Sequence, residues 1–472
     1  MMLRPIARLA LAGAVAALVT GCPIPAPPDA KQLQSEALPN TKLPEKFVAA
    51  PADAGEVVNG WLALFKDPEL EKLVAEAMAY NTDLRVAASR VEVAEASARA
   101  AGATLYPQLN ILARGGGKMG GDNTGVSLAG LFASWEIDLW GRVRSERYAA
   151  SSQYEAAVFD AAYARNSIAA LVAKSWFLAR EASMQRAIAL EMVQSSQGLA
   201  GLARDRLRIG KGDEYEVVQA DASVYSYRDL ALQADRARQE ALRAVEVLAG
   251  RYPSAEVDAG IELPRPPAIP VGLPSQLLER RPDVRAAERR VAAAYYRTTE
   301  ARAARLPRIS LSASVNTISS DLFVMKQRDN PIWSVGGSIL FPLFTGGALQ
   351  AQVDVRNAEQ KAAMADFANV GSRAFGEVEN ALGASYNLDA REETLAGAIA
   401  VNERALGFSR VRLNVGSGDQ RAVLQQLLAL HTSRASHIHV RAERLMQRVN
   451  LHLALGGGFE VPPEGPKKEE QR

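Results

Sequence analysis

The sequence contains one unit twice in tandem, and this duplication limits the folds open to the chain more than any other feature. The phrase RLRIGKGD at residues 206–213 returns as RLNVGSGD at residues 412–419. Because repeated sequence encodes repeated structure, each unit is expected to form the same series of elements. The matches spaced 200 positions apart include Asp83, Arg85, Ala87, Arg90, Val91, Ala101, Ala103 and Pro107 with Asp283, Arg285, Ala287, Arg290, Val291, Ala301, Ala303 and Pro307.

Each unit predicts a helix followed by a pair of β-strands. The helix-like segments, about 83–105 and 283–305, stop before a proline, where a helix is expected to end. In RISLSASVN, residues 308–316, apolar and polar residues alternate, which gives a strand one apolar and one polar face. SLAGLFASWEIDL, residues 127–139, alternates in the same way. The apolar positions are Ile309, Leu311, Ala313 and Val315 in the second unit, and Leu131, Ala133, Trp135 and Ile137 in the first.

Two hairpins give four strands per chain, which are too few for a closed barrel. Barrels that span an outer membrane begin at eight strands, and an isolated hairpin is marginal in water. No apolar stretch after residue 22 is long enough for a transmembrane helix. If the chain crosses a membrane, several copies must therefore pool their strands. The alternative is a soluble four-stranded sheet packed on a helical core.

The longest predicted elements are two helices that follow the second strand of each unit. Residues 142–208 and 349–414 contain no proline, and alanine is frequent in both segments. A helix of this length would measure about 100 Å at a rise of 1.5 Å per residue. Small alanine side chains allow neighbouring helices to lie close together along that length. The sequence therefore predicts a helical assembly of unusual length.

The repeated glycine phrase is expected to form a tight turn after each long helix. Gly210 and Gly416 would end the helices in the left-handed conformation. Asp213 and Asp419, three positions later, would cap the next helices by accepting backbone N–H bonds. Both turns are predicted to lie at one end, far from the strands. The resulting antiparallel hairpins pair 142–208 with about 214–249, and 349–414 with about 420–454.

The N-terminal residues predict export and lipid attachment. Arg4 and Arg8 precede an apolar run that is too short to span a bilayer, as in a signal peptide covering residues 1–21. The segment VTGC, residues 19–22, resembles the lipobox of bacterial lipoproteins, in which the cysteine becomes the lipidated N-terminus. Cys22 is the single cysteine of the chain, so an intrachain disulfide is impossible.

The domain organisation follows from these segments. Removal of the signal peptide leaves 53 basic and 53 acidic residues, a balance that gives no electrostatic footprint for nucleic acid. The predicted segments are the signal peptide 1–21, a lipidated N-terminus and extended tether 22–60, a first repeat 61–260, a second repeat 261–456, and a disordered tail 457–472.

Four segments resemble the TolC-like outer-membrane factors of bacterial export systems, in particular their lipoprotein (OprM-like) branch. They are WLALFKDPELEKLVAEAMAYNTDLRVAASR (61–90), DLWGRVR (138–144), LPSQLLERRPDVRAAERR (273–290) and FPLFTGG (341–347). The resemblance implies a mixed α and β fold in a homotrimer. Long antiparallel helical hairpins would form an α-barrel, and the β-hairpins of three chains would form one shared 12-stranded transmembrane β-barrel.

The resemblance also implies partners and a place for each glycine turn. Members of the family act as passive exit ducts, joined by a periplasmic adaptor to an inner-membrane pump. Their glycine turns form the periplasmic tip that meets the adaptor. On this chain, the adaptor-contacting residues would be Ile209, Gly210, Gly212, Val415, Gly416 and Gly418.

Family members narrow their tube near the tip with polar or acidic rings. The position that is often aspartate, nine residues after the glycine, is Gln425 here, and its counterpart in the first repeat is Gln219. This departure puts a charged ring at that level in doubt. The other candidates for the constriction are Asp213, Asp221, Arg412 and Asp419, although Asp213 and Asp419 could serve only as helix caps.

The sequence contains no constellation that indicates an enzyme, a cofactor or a metal site. All four histidines lie in the last helix, but their spacing does not place them on one face. The expected function is a passive outer-membrane exit channel of a tripartite efflux pump, lipid-anchored at Cys22, with drug-type cargo favoured by the lipoprotein branch. The alternatives are the outer-membrane channel of a type I protein secretion system and a non-conducting periplasmic scaffold lipoprotein.

Overall fold

The fold is given by a computed structural model that describes residues 23–49, 57, 59–116, 126–269, 273–320 and 331–460. The predicted signal peptide, Cys22 and residues 461–472 of the predicted tail lie outside these residues. A short 3₁₀ helix spans Trp61–Phe65. The helices are α1 Ala30–Ala37, α2 Pro68–Tyr80, α3 Thr82–Ala103, α4 Arg142–Arg208, α5 Glu214–Leu248, α6 Pro274–Arg280, α7 Pro282–Ala303, α8 Ala348–Asn414 and α9 Gln420–Ala454. The strands are β1 Gln108–Gly116, β2 Val126–Ile137, β3 Arg308–Ser320 and β4 Ile332–Leu340.

The helices confirm the duplication by their lengths. Helices α4 and α8 each contain 67 residues. Helices α5 and α9 each contain 35 residues, and α3 and α7 each contain 22. The predicted bounds of α4 and α9 agree with the structure, and the other bounds differ by one or two residues. Proline and glycine at the ends explain this accuracy, because they stop a helix for local reasons.

The predicted tether contains a helix that the sequence analysis missed. Helix α1 begins with a capping box, in which the Asp29 carboxylate accepts the Gln32 N–H at 2.8 Å. The Gln32 side chain accepts the Asp29 N–H in return, at 3.3 Å. Reciprocal bonds of this kind satisfy two backbone donors at once and start a helix locally. The prediction of extended chain is therefore wrong for Ala30–Ala37.

The described residues fall into two compact units, and neither coincides with one repeat. The first unit comprises Met1–Thr41, Ala88–Asp160 and Asp283–Val370, and it contains the four strands. The second comprises Lys42–Ala87, Ala161–Pro282 and Gly371–Arg472. Each unit therefore combines segments of both repeats. Among the described residues, no helix combines the length and the apolar character needed to cross a membrane.

The strands form one antiparallel sheet in the order β1-β2-β3-β4. Its register groups side chains into cross-strand rows, and one face of the sheet is apolar while the other is largely polar. This confirms the predicted alternation. Two rows of the apolar face are Ile111, Leu131, Val315 and Trp333, and Leu109, Ala133, Ala313 and Val335. Two rows of the other face are Asn110, Phe132, Ser314 and Ser334, and Glu136, Ser310 and Ser338.

The outer strands of the sheet have no helical core to pack on. Every described residue of β4 is exposed, and Val335 is 89% exposed. In β1, Leu109 and Ile111 are 69% and 80% exposed. The alternative of a soluble sheet packed on helices therefore fails for these two strands. Because β1 and β4 each pair on one side only, both also leave half of their ladder groups open.

The second unit has its own apolar core, which includes Trp61, Phe65, Trp176 and Phe177. The buried carboxylate of Asp67 at this core is paired. The Trp176 indole N–H donates to Asp67 Oδ2 at 3.0 Å, and Arg180 Nη1 lies 2.8 Å from the same oxygen. Since an unpaired buried carboxylate is costly, this pairing keeps Asp67 compatible with its burial.

His452 is the most deeply buried histidine of the second unit. Its ring stacks on Trp61 at a centroid distance of 5.9 Å, and it is 1% exposed. Burial, together with the nearby Arg448 charge, lowers the pKa of His452 to about 4. The imidazole is therefore neutral near pH 7. A charged ring at this buried position would lose its hydration and would have no carboxylate as a partner among the described residues.

This burial predicts an acid-sensitive contribution to stability. Between pH 6.5 and 4 the unfolded chain binds more protons at His452 than the folded chain, so stability falls as the pH drops through this window. The loss from this group would reach about 3 kcal/mol. His452→Phe keeps an aromatic ring against Trp61 and should flatten the pH dependence of the urea midpoint in detergent. An unchanged profile in the variant would contradict the assignment.

Candidate functional site

The two glycine turns have the same backbone geometry, which explains why the phrase is repeated. Gly210 has φ +70°, and its N–H donates to the Leu207 carbonyl at 3.0 Å. Lys211 N–H donates to the Arg206 carbonyl at 2.8 Å. These two bonds form a Schellman motif, which satisfies carbonyls at the end of α4. The prediction of a left-handed glycine at the helix end is confirmed here.

The second turn repeats these bonds 206 positions later. Gly416 has φ +72°, and its N–H donates to the Leu413 carbonyl at 3.1 Å. Ser417 N–H donates to the Arg412 carbonyl at 2.9 Å. A non-glycine residue in this conformation costs roughly 1–2 kcal/mol. The first glycine of each phrase is therefore required by its backbone conformation.

The second glycine of each phrase is required by crowding. A Cβ atom at Gly418 would lie 2.8 Å from Arg412 Cβ and 2.9 Å from the Leu413 nitrogen. A Cβ atom at Gly212 would lie 3.0 Å from Arg206 Cβ. Real Cβ atoms essentially never approach as closely as at Gly418, so this turn requires glycine there, while a Cβ at Gly212 would force its neighbours to shift. One phrase thus contains two glycines for two different reasons.

The two aspartates that close the phrases act as helix caps. Asp213 accepts the Glu216 N–H at 2.8 Å and opens α5. Asp419 accepts the Arg421 N–H at 2.7 Å and opens α9. This confirms the predicted capping. The carboxylates are held in place at the turn by these bonds, which are worth about 1 kcal/mol each.

A group of charges joins the two turns, and the sequence analysis missed it. Arg421 Nη1 lies 3.0 Å from Glu216 Oε1, and Arg206 Nε lies 3.5 Å from Glu216 Oε2. Arg206 Nη1 also lies 3.8 Å from Asp419 Oδ2. We call these four residues the turn charge cluster. All four are partly exposed, so each pair is worth about 0.2–1 kcal/mol and is sensitive to salt.

The structure brings the two candidate glutamines of the constriction together. Gln219 and Gln425 line one cavity of about 230 Å³, which also borders Arg206, Glu216 and Arg421 of the turn charge cluster. Both glutamines are exposed. Their amides supply donors and acceptors without charge. The repeat makes Gln219 the counterpart of Gln425, but the sequence analysis did not predict that they share a cavity with residues of the turn charge cluster.

The remaining candidates occupy other positions. Asp221 is paired with Arg204 and does not line the cavity. The Arg412 side chain is exposed at the second turn and also lies outside the cavity. Ile209 and Val415, at the apex of each turn, are 61% and 70% exposed. The tips of both hairpins therefore present apolar side chains beside glycine.

Two histidines of α9 each lie close to one carboxylate. His431 Nδ1 lies 3.1 Å from Glu191, and His439 Nδ1 lies 2.7 Å from Glu181. Burial raises the pKa of the Glu181 carboxyl, although His439 opposes this effect. Within the described ranges, no three histidine, cysteine or acidic side chains are grouped so that they could hold a metal ion.

Comparisons with known proteins agree with this architecture. The family model described as outer membrane efflux protein matches residues 73–251 and 273–457, one match for each repeat. The chain belongs to this family, and it has the family's function of an outer-membrane efflux channel. The predicted resemblance to the TolC-like outer-membrane factors is thereby confirmed.

Individual relatives and solved structures cover nearly the whole chain. The pyoverdine export outer membrane protein OpmQ of Pseudomonas aeruginosa is 30% identical over 438 residues, which are 89% of this chain and 91% of OpmQ. The cation efflux system protein CusC of Escherichia coli K12 is 28% identical and covers 94% of this chain and 98% of its own length. The open-state structure of the MtrE outer membrane channel of Neisseria gonorrhoeae has a TM-score of 0.79 at 28% identity, with 93% of this chain and 98% of that chain covered.

The crowding at the second glycine gives a direct test of the turn. Gly418→Ala should open the turn between α8 and α9, because its Cβ would collide with backbone atoms. Trypsin should then cut faster after Arg412 and Arg421. Gly201→Ala is the matched control, since a Cβ at that helical position meets no atom within 4 Å. Equal cleavage rates in the two variants would show that crowding does not define the turn.

Proposed function

We propose that three copies of the chain form one passive exit duct in the outer membrane. The observation that carries this proposal is the sheet, which has two open edges and an exposed apolar face in a single chain. Open strand edges cannot remain unpaired in lipid, and a closed barrel removes them. Three copies with four strands each exceed the minimum of eight for an outer-membrane barrel.

The lipid anchor of the duct is proposed from sequence alone. Cys22 would carry the acyl chains that hold the N-terminus in the outer membrane. The proline-rich residues that follow it favour an extended connection to the first described helix. The proposed barrel would supply a second membrane contact beside these acyl chains.

The tip is proposed to receive a periplasmic adaptor that connects the duct to an inner-membrane pump. Exposed apolar side chains at the apex of both hairpins would offer apolar surface to a partner protein. Ile209 and Val415 supply such side chains, and Gly210, Gly212, Gly416 and Gly418 allow a partner's backbone to approach closely. The partner surface is therefore expected to be apolar and to fit a narrow hairpin end.

The constriction is proposed to be polar and uncharged at the level of Gln219 and Gln425. Amide groups bind passing ions more weakly than carboxylates do, because they lack a full charge. The ion selectivity of the resting duct should therefore come from the turn charge cluster and from Asp221, Arg412 and Asp213. These assignments rest on the repeat and on the shared cavity.

The cargo is proposed to be chosen by the pump. Relatives of similar identity to this chain are named for pyoverdine export, cation efflux and toluene efflux. One architecture thus serves chemically unrelated cargo in that set, which favours a duct without a substrate site. Export and efflux names among these relatives favour efflux over the type I secretion alternative. The scaffold alternative predicts a trimer that never conducts.

Planar-bilayer conductance of the purified protein tests the duct, and two neighbouring residues of β4 make a matched pair. Val335→Arg places a charge on the apolar face, where insertion would cost about 2–4 kcal/mol near the bilayer centre. It should abolish membrane insertion. Ser334→Arg places the same charge on the opposite face and should leave insertion intact while shifting ion selectivity. Equal insertion of both variants, or a purified trimer that never conducts, would overturn the proposal.

The adaptor contact is tested by charges at the two apices. The double variant Ile209→Asp and Val415→Asp should keep trimer yield and conductance but lose export in cells, because a charged apex cannot enter an apolar contact. Tyr252→Asp, at a residue that is 86% exposed in a loop, is the control and should export normally. Normal export by the apex variants would argue against this contact.

A further inference from the structure

Helices α3 and α7 are the two copies of one helix of the repeat, and they have different surroundings. Helix α7 has ten buried residues, whereas α3 has none. The contrast is sharpest at two pairs of equivalent positions in the repeats, Val86 with Ala286 and Val93 with Ala293. The two alanines are fully buried at 0% exposure, while Val86 is 49% and Val93 is 67% exposed. Helix α3 therefore has an apolar face without the cover that its counterpart has.

The contacts of α7 show what covers such a face. Helix α7 runs antiparallel to α4, and the rings of Tyr296 and Tyr148 lie 5.3 Å apart. Arg289 Nη1 donates to Glu155 at 3.3 Å. Further along the same pair of helices, Arg290 forms an ion pair with Asp160. The cover of α7 thus comes from the first turns of a long helix.

The other side of α7 contacts the second long helix. Thr298 Oγ1 donates to the Arg356 carbonyl of α8 at 3.1 Å, and Arg302 Nη2 donates to Asn357 at 3.1 Å. In one chain, α7 therefore contacts both long helices. Helix α3 approaches α4 at Gly102, whose added Cβ would lie 4.0 Å from Arg147 Cδ. In the repeat, α3 corresponds to α7 and α4 corresponds to α8. The contact of α7 with α4 therefore corresponds to a contact of α3 with an α8.

The repeat converts the α7–α4 contacts into a specific set for α3 and α8. Moving α7 back by 200 residues and α4 forward by 206 turns the pair Arg290 and Asp160 into Arg90 and Asp366. Arg90 and Asp366 are both exposed, and neither has an ion pair or side-chain hydrogen bond with another described residue. Two opposite charges are thus left free at matching positions of the two helices.

The surface of α8 is uncovered along the same stripe. On α4, Ser145, Ala149, Ser152 and Ala156 are between 0% and 7% exposed. Their counterparts on α8 are all exposed, and they are Ala351, Val355, Ala358 and Ala362. The larger valines of α3 also fit the smaller surface of α8, where Ala365 stands in the place of Phe159. Size and charge therefore agree with one docking mode.

We propose that α3 docks antiparallel onto α8 of an adjacent copy, with Arg90 paired to Asp366 of the partner subunit. Val86 and Val93 cover the small-residue stripe around Ala358 in this contact. The inference rests on the proposed trimer and assigns the surface that builds it. Each copy supplies one α3 face and one α8 face, so the contact is head-to-tail, and in the proposed trimer it would close into a ring. The contact between copies then repeats the contact within each chain.

Cysteine pairs test the assignment in the full-length protein. Arg90→Cys with Asp366→Cys, treated with a short bis-maleimide, should give covalent dimers and trimers on a denaturing gel. The matched control is Arg290→Cys with Asp160→Cys, which should crosslink within one chain and stay at monomer mass. Each single variant should give no crosslinked species. A monomeric product from the first pair, or none while the control reacts, would overturn the inference.

Native mass separates this inference from the proposed function. If the protein is a trimer but does not crosslink, the proposed duct stands and only the assigned contact is wrong. If the protein is a monomer, both proposals are wrong. Charge reversal gives a second readout that does not depend on thiols. Arg90→Asp and Asp366→Arg should each raise trimer dissociation about 2- to 5-fold per interface, as expected for partly exposed pairs. The double variant should restore the wild-type rate, and additive weakening would contradict the pairing.

Discussion

The backbone of the outer strands sets the condition on which the rest of this structure depends. Strands β1 and β4 each have one neighbour, so each leaves a row of N–H and C=O groups open in a single chain. Such groups are tolerated in water but not in hydrocarbon, where each unpaired group costs several kcal/mol. The sheet is therefore an incomplete element, and its apolar face makes water an equally poor environment. Assembly is the way to meet both conditions at once.

Because of the duplication, the assembly can use the same elements and the same contacts more than once. One helical hairpin, one glycine turn and one strand pair are encoded twice, and the second copy reuses the same caps and the same crowding at glycine. For copies of the chain to associate, the two linked units then need only the kind of contact that already exists between them within one chain. In this view the surface of α8 that faces outward is the same kind of surface that α4 presents to α7.

Much of the fold could be predicted because its signals are local. Proline and glycine mark the ends of the long helices, alternation marks the strands, and Asp213 and Asp419 cap the helices that follow them. The capping box at Asp29 and Gln32 was equally local and could have been found. The turn charge cluster could not, because Arg421 and Glu216 are 205 positions apart and meet only in the folded chain. The shared cavity of Gln219 and Gln425 was out of reach for the same reason.

The turn charge cluster breaks the symmetry that the repeat otherwise keeps. The first hairpin opens α5 with Glu214 and Glu216, whereas the second opens α9 with Gln420 and Arg421. The position that matches Glu216 in the second repeat is Ala422, which carries no charge. A partner protein that binds to every hairpin end of the assembly would accordingly meet two chemically distinct binding sites in alternation. Identical subunits of such a partner would have to bind at two unequal sites, one beside the first turn of α5 and the other beside the first turn of α9.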